Sequence, residues 1–488
     1  MVIESLKYKI LQQFGFAPTQ EQGQALDTFV SFLTDRDPQA VMILRGSAGT
    51  GKTSLSGAIV RTLLQIRQKV MLLAPTGRAA KVFSLGSGAP AYTIHRRIYR
   101  EKAFAGVDGQ FSLNDNLYTD TLFMVDEASM IANMGLGGTT FGSGCLLDDL
   151  VKFVYQGHND RLLLIGDKAQ LPPVGEEESP ALSASVMEGY GLKVYECDLN
   201  EVLRQSQSSG ILYNATLIRQ MITHDAVTGL PLIRFKGFAD IVMMPGAELV
   251  ESLGDSYHHV GMDETMVITR SNKRANIYNN GIRNMVLDRE EELSSGDMLM
   301  IVKNNYFWTE KEKKEIGEGS AGAVPAFLAN GDRAKVLRVS NYIELYGFRF
   351  ATLLLQLPDY DDYEMQVTGM LDTLQSEAPA LTHEQQEELF RQVEEDYQHF
   401  VPLKADRMKS IRQDAYFNAL QIKYAYAVTC HKAQGGQWAH VYVDQGYMTD
   451  DMLTPDYIHW LYTAFTRATD KLFLVNWPKE QTCEPTDL

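Results

Sequence analysis

Residues Gly46-Ser47-Ala48-Gly49-Thr50-Gly51-Lys52-Thr53 form one unbroken G-x-x-x-x-G-K-[ST] stretch. The apolar run Val41-Met42-Ile43-Leu44 precedes it, and a helix-compatible segment, 54–65, follows. A strand–loop–helix context turns this pattern into a phosphate site. Glycines let backbone N–H groups close on phosphates, and the helix N-terminus adds positive potential. Gly46, Ser47, Ala48, Gly49, Thr50, Gly51, Lys52, Thr53 and Ser54 are therefore the candidate nucleotide contacts. Lys52 is placed to reach the β and γ phosphates, and the Thr53 hydroxyl to ligate Mg²⁺. The stretch predicts a nucleoside triphosphate site.

Working outward, short apolar runs at 41–44, 70–74, 122–125, 162–165 and 194–199 alternate with amphipathic segments. That rhythm predicts a parallel sheet covered on both faces. A second set lies at 266–269, 425–429, 441–443 and 472–475. The fold class predicted is α/β, with two P-loop-type domains and inserts. Between 295 and 418, short β-like pieces at 298–302, 333–339, 342–345 and 348–357 predict a small antiparallel barrel. Segment 379–412 is rich in Glu, Gln, Lys and Arg at helical spacing and reads as a solvated helical excursion. Gly106-Val107-Asp108-Gly109-Gln110 has hairpin-turn character between Phe104 and Phe111. Segment 135–144 reads as a mobile Gly/Thr/Ser-rich loop.

Two further strand ends carry chemistry. The run 122–125 ends in Asp126-Glu127, where Asp126 is the candidate Mg²⁺ holder and Glu127 the group that orients and deprotonates water. The run 162–165 leads into Gly166-Asp167-Lys168-Ala169-Gln170-Leu171-Pro172-Pro173. Gln170, just past a sheet's C-terminal edge, is a candidate sensor of γ-phosphate and water, or part of a turn shaped by Asp and Pro.

The 488 residues exceed one ordinary core, so about two to four domains are expected. A 45% hydrophobic and 22% charged composition is that of a globular chain without a run long enough to span a membrane. The four cysteines, Cys145, Cys197, Cys430 and Cys483, form no C-x-x-C pair, so neither structural zinc nor a disulfide framework is expected, and a cytoplasmic setting is. The net charge of −17 argues weakly against nucleic acid, but acids cluster at 384–388 and 394–396, and a basic channel can coexist with acidic outer faces.

Other short stretches fall in order between about 18 and 475. They are Thr19-Gln20-Glu21-Gln22, Ala74-Pro75-Thr76-Gly77-Arg78-Ala79-Ala80, Thr93-Ile94-His95-Arg96, Leu203-Arg204-Gln205, Ala427-Val428-Thr429-Cys430-His431-Lys432-Ala433-Gln434-Gly435 and Tyr462-Thr463-Ala464-Phe465-Thr466-Arg467-Ala468. With 46–53, 126–130 and 166–173 the set resembles superfamily 1 helicases, in the RecD/Dda-like, 5′-to-3′ branch. The resemblance implies an ATP-dependent DNA helicase with two RecA-like domains, ATP and Mg²⁺ as cofactors, and single-stranded DNA and duplex forks as partners, acting as a monomer. Roles in repair or recombination, with other proteins of those processes as partners, accompany it. Gln20 becomes a candidate adenine reader. Arg204 and Arg467 become candidate γ-phosphate arginines, the alternative for Arg467 being a helix-face salt bridge. Thr76, Arg78, His95, Arg96, Thr269, Arg270, Asn272, Thr429, His431 and Lys432 become candidate strand contacts, with His95 alternatively a core histidine. Phe104 and Phe111 are candidate strand-separating aromatics, or partners packed on each other. The implied layout is 1–83 with 119–235 as domain 1A, 84–118 as insert 1B, 236–294 with 419–488 as domain 2A, and 295–418 as insert 2B. The long charged stretch after Pro379 departs from that pattern. Two alternatives stand beside the motor: a partner-binding subunit of a larger repair or nuclease complex, and an ATPase remodeller that ignores nucleic acid.

Overall fold

Residues 40–46 explain how the first layer is built. Ala40, Met42 and Leu44 point to one face, where they meet Leu26, Phe29, Leu55 and Ile59 from covering helices. Val41 and Ile43 point to the other, against Leu147, Leu150 and Phe153. Every residue of the strand Ala40–Gly46 is buried, as a parallel strand covered on both faces requires. Each fully buried side chain of this size stabilises by about 1.5–3 kcal/mol relative to exposure. The computed structural model describes residues 2–104, 109–135, 142–202, 208–223, 229–316, 324–325, 327–401 and 403–483, without the side chains of 2, 3, 101–104, 109, 110 and 450.

Six strands form this parallel sheet, in the spatial order Ala91–Thr93, Lys69–Ala74, Thr121–Val125, Arg161–Gly166, Ala40–Gly46, Lys193–Leu199. Five of the six coincide with the apolar runs. Ala91–Thr93 is too short to show a period. The C-terminal ends of the central strands therefore lie side by side, and Ser47, Asp126 and Asp167 follow directly from three of them.

By packing, the chain divides into two compact units, residues 1–244 with 433–488 and residues 245–432. The first unit also holds three parallel strands, Ile241–Met244, Ala468–Val475 and Trp438–Asp444. It holds the hairpin Tyr99–Phe104 with Gly109–Leu113 as well. The expected turn at 106–110 and mobile loop at 135–144 fall partly or largely outside the described residues.

The second unit contains the parallel pair Thr265–Thr269 and Ala427–Thr429, and a closed five-stranded barrel. The barrel strands are Met298–Ile301, Arg333–Leu345, Phe348–Leu357, Tyr363–Met370 and Leu420–Tyr424. Two expectations need correction. The pieces at 333–339 and 342–345 are one strand, broken in register between Ser340 and Ile343, where Asn341 takes a φ of 52°; a bulge looks like a strand end in sequence. The barrel is also not wholly antiparallel, because Tyr363–Met370 and Leu420–Tyr424 pair in parallel.

Segment 379–412 is helical, as its spacing predicts, but it is not simply solvated. Thr382 and Gln385 make a capping box that starts the helix His383–Gln398, and a second helix, Lys404–Arg412, follows. Leu389, Val393 and Ile411 pack against Phe348, Phe350 and Met370 of the barrel. Two apolar positions four apart suffice to dock a helix whose other residues are charged. Among the described residues no helix is long and apolar enough to cross a membrane.

Candidate nucleotide site and strand-contact residues

The strand Ala40–Gly46 delivers the chain to the phosphate loop, and the helix Lys52–Gln65 leaves it. Gly46 is required by a close approach: a Cβ there would lie 2.6 Å from Cγ and 2.8 Å from Cδ of Lys52. The loop is braced by Ser47 N–H on the Leu199 carbonyl (3.2 Å) and by Thr50 Oγ1 on the Ser47 carbonyl (2.8 Å). Lys52 Nζ donates to the Gly46 carbonyl and, at 3.4 Å, to that of Ser47. These neutral acceptors leave its charge available to an anion. Thr53 and Ser54 are exposed at the first turn of the helix.

The glutamine that touches this loop is Gln22, not Gln20. Gln22 is buried, and its Nε2 donates to the Thr50 carbonyl at 2.9 Å. It also closes a capping box with Thr19 at the start of the helix Gln20–Leu33, whereas Gln20 is exposed. The T-x-x-Q spacing was the available signal.

Asp126 and Glu127 follow the strand Thr121–Val125, and Glu127 stands at a φ of 52°. Its N–H donates to Asp126 Oδ1 at 2.9 Å. Burial, then the adjacent Glu127 charge, raise the Asp126 carboxyl above the ordinary range. Two neighbouring carboxylates in a desolvated place favour a cation. Hard oxygen donors from Asp126 and Thr53, with further ligands left to substrate phosphates, suit Mg²⁺.

Gln170 and Arg467 complete the constellation within the first unit. With its amide nitrogen turned toward Glu127, Gln170 donates to Glu127 Oε2 at 3.2 Å and accepts from Arg467 Nη2 at 3.1 Å; this orientation satisfies both ends of the amide. Arg467 is 2% exposed. Its other bonds go to the carbonyls of Thr463 (3.1 Å) and Gly436 (3.1 Å) and to Thr466 Oγ1 (3.2 Å). All are neutral, so the helix-face salt bridge is not what holds it. The helix Pro455–Phe465 is fastened beside the second carboxylate strand through Leu171 N–H on Thr463 Oγ1 (2.8 Å) and Tyr462 Oη on Asp167 Oδ2 (2.6 Å). Asp167, Tyr462 and Thr463 escaped the sequence reading as site residues because their types are common in turns and helix faces. Arg204, with Leu203 and Gln205, lies outside the described residues.

Comparison with known proteins places this geometry. A family model described as an AAA domain matches residues 17–229, and one described as the UvrD-like helicase C-terminal domain matches 424–475. The ATP-dependent RecD2 DNA helicase of Deinococcus radiodurans is 30% identical over 157 residues, 32% of this chain and 18% of that one. The ATP-dependent DNA helicase Dda of Enterobacteria phage T4 is 25% identical over 284 residues, 56% of this chain and 59% of that one. Together these matches support a superfamily 1 helicase of the RecD/Dda type. Among solved structures, the Pif1 helicase from Bacteroides in complex with ADP-AlF3 and ssDNA is similar at 13% identity and a TM-score of 0.46, covering 96% of this chain and 95% of that one. The chain spans less than two thirds of the length of RecD2 and of Dda.

The candidate strand contacts divide between the two units. In the first, Thr76 caps the helix Gly77–Ser87 by accepting from Ala79 N–H at 3.2 Å. Arg78 lies over the Trp438 ring at 4.5 Å and donates to the Gln437 carbonyl at 2.5 Å. Gly436 makes this approach possible, since a Cβ there would sit 2.5 Å from Trp438 Cη2 and 3.0 Å from Arg78 Nε. Arg78 thus braces its own unit. His95 is half-buried, 5.6 Å from the Tyr99 ring, and burial pushes it down to about 4, so it is a neutral ring near pH 7. Arg96 is exposed, 5.0 Å over Tyr92.

In the second unit Thr269 is fully buried, its hydroxyl within reach of the Ser271 (3.1 Å) and Val428 (3.4 Å) carbonyls. It presents no hydroxyl to solvent, a correction to its sequence assignment. Arg270 and His431 are exposed; Thr429 and Lys432 are half-buried. Asn272 Nδ2 donates to the Glu377 carbonyl at 3.2 Å. Phe111 packs half-buried against the apolar cluster of Phe123 and Phe153. The Phe104 side chain lies outside the described residues.

Proposed function

We propose that the chain is an ATP-dependent DNA helicase that translocates on single-stranded DNA from 5′ to 3′ and hydrolyses ATP to ADP and phosphate. The observation that supports this most is the continuous contact from Glu127 through Gln170 to Arg467. A water base, a polar sensor and a buried arginine in one line can respond together to a γ-phosphate. In this reading Lys52 and the loop amides bind the phosphates, and Asp126 with Thr53 would hold Mg²⁺, which would supply charge neutralisation at the phosphate oxygens. Glu127 orients and deprotonates water, Gln170 aligns it, and Arg467 with Arg204 stabilises transition-state charge. The relatives' names, RecD2 and Dda as ATP-dependent DNA helicases, support the same assignment.

The test is hydrolysis by the purified chain with and without oligo-dT, with unwinding of duplexes that carry 5′ or 3′ tails. Strong stimulation and unwinding of the 5′-tailed duplex are expected. ATPase indifferent to DNA points to a remodeller, and inactivity of the isolated chain to a subunit of a larger complex; either sinks the proposal.

Of the ten candidate strand contacts, all but the buried Thr269 keep surface that a polymer can reach, Arg96, Arg270 and His431 the most. Lys432 supplies a pH prediction. Burial pulls its ammonium down to about 8. The group is charged below that pH and neutral above it, so a phosphate contact weakens as pH rises from 7 to 9. Oligo-dT affinity, read by fluorescence anisotropy, is expected to fall across that window. Lys432→Gln should flatten the fall and lower the salt slope by about 0.7, the value for one single-strand phosphate. An unchanged pH profile in the variant removes Lys432 from the list of contacts. The neighbouring Lys423 is also drawn down to about 8, by burial and then by Lys432, but it is buried and donates to the Thr373 carbonyl at 3.1 Å.

A further inference from the structure

We propose that Tyr462 is a positioning residue that ties occupancy of the phosphate loop to the placement of Arg467. The inference rests on the ATP-site reading above and adds a residue that the motif assignments leave without a role. Tyr462 is 1% exposed, and its hydroxyl lies between two site elements. It accepts from Ala48 N–H, a phosphate-loop amide, at 3.0 Å, and donates to Asp167 Oδ2 at 2.6 Å. Asp167 in turn shapes the turn that carries Gln170: its Oδ1 accepts from Ala169 N–H at 3.0 Å, and its carbonyl from Gln170 N–H at 3.3 Å.

The backbone of the same residue leads to the arginine. The Tyr462 carbonyl accepts from Thr466 N–H at 3.1 Å and from Thr466 Oγ1 at 3.0 Å. Thr466 Oγ1 accepts from Arg467 Nη2 at 3.2 Å. One tyrosine therefore touches the loop with its phenol and reaches the guanidinium through a single hydroxyl. Burial, followed by the Asp167 charge, pushes the phenol far up, so it remains a neutral donor and acceptor across the working pH range.

A neutral phenol oxygen is a weaker acceptor than a phosphate oxygen, because hydrogen bonds to charged acceptors are about twice as strong. A triphosphate entering the loop competes for Ala48 N–H and draws it from Tyr462. The phenol keeps its charge-assisted bond to Asp167. The helix Pro455–Phe465 then loses its fastening to the loop but keeps the one to the Gln170 turn. Loop occupancy is passed in this way to the segment that ends in Arg467.

Tyr462→Phe tests this in the full chain, since the ring and its packing remain and only the hydroxyl goes. With no phenol competing for Ala48 N–H, ATP binds more tightly, about 2- to 10-fold, the range for one neutral hydrogen bond. DNA-stimulated kcat falls about 10-fold or more, because Arg467 is no longer set by the loop. A residue that only supports packing does not give this split: losing it lowers kcat with KM unchanged or raised. Thr466→Val separates the two halves of the path, with an expected loss of kcat and no change in KM. Titration with mant-ATP reads the affinity without turnover. If the wild-type chain does not hydrolyse ATP, the helicase proposal fails, and the mant-ATP titration still decides this one. Affinity that is unchanged or weaker in Tyr462→Phe overturns the inference, as does a DNA-stimulated kcat within twofold of wild type.

Discussion

Replacing Glu127 by Gln is expected to lower the kcat of ATP hydrolysis by about 10²- to 10⁴-fold, the usual contribution of a general base, while ATP still binds. The side chain keeps its size and its place at the end of the strand Thr121–Val125. What is lost is the capacity to take a proton from water. Gln170 donates to Glu127 Oε2 in the wild type, and the new amide can still accept that bond through its oxygen. The contact line therefore survives and the chemistry does not. Lys52→Ala has a different signature. It removes the ammonium that stands over the loop carbonyls, so nucleotide binding and hydrolysis fall together. Rapid-quench hydrolysis with mant-ATP binding separates the two patterns. A Glu127→Gln variant with more than a tenth of wild-type kcat would move the base elsewhere.

Why this site was readable in sequence, and some of its neighbours were not, follows from range. The phosphate loop is local: its glycines, Lys52 and Thr53 lie within eight consecutive residues whose spacing is itself the function. Asp126 and Gln170 are marked by the apolar strands before them, since a buried parallel strand must be continuous in apolar residues. The short strand Ala91–Thr93 and the bulged strand Arg333–Leu345 were lost or divided, because three residues show no period and a bulge breaks one. The helix His383–Gln398 was visible as a helix, but its docking was not. Its buried stripe consists of Leu389 and Val393 among charged residues, and only the barrel strands Phe348–Leu357 and Tyr363–Met370 reveal what those two cover. Gln22, Tyr462 and Asp167 were hidden for another reason. Their roles come from contacts with residues 28 to 414 positions away, which no local spacing encodes. The same limit produced the reassignment of Thr269. A threonine beside a motif invites a phosphate contact, yet the sheet claims its hydroxyl first.

Arg467→Ala is expected to lower kcat by about 10³- to 10⁵-fold, the range for an arginine that stabilises phosphoryl-transfer charge, with a small change in nucleotide affinity. The case rests on its partners. A buried guanidinium held by a carboxylate would already be neutralised. Arg467 instead faces the Thr463 and Gly436 carbonyls, Thr466 Oγ1 and the Gln170 amide oxygen. Neutral acceptors satisfy its N–H groups and leave its charge uncompensated, which suits a residue awaiting negative charge on a transferred phosphoryl group. Arg467→Lys should recover little, because a single ammonium cannot hold two carbonyls and a sensor amide in the fixed planar fork of arginine. The rival account is that Arg467 only braces the Gly436 and Thr463 backbone. Bracing predicts a lower unfolding temperature and a KM and kcat that worsen together. Phosphoryl stabilisation predicts near-normal mant-ATP binding and a kcat that collapses in the Lys variant as well as the Ala variant. A kcat in Arg467→Ala within tenfold of wild type would leave the brace as its whole role and break the line from Glu127 at Gln170.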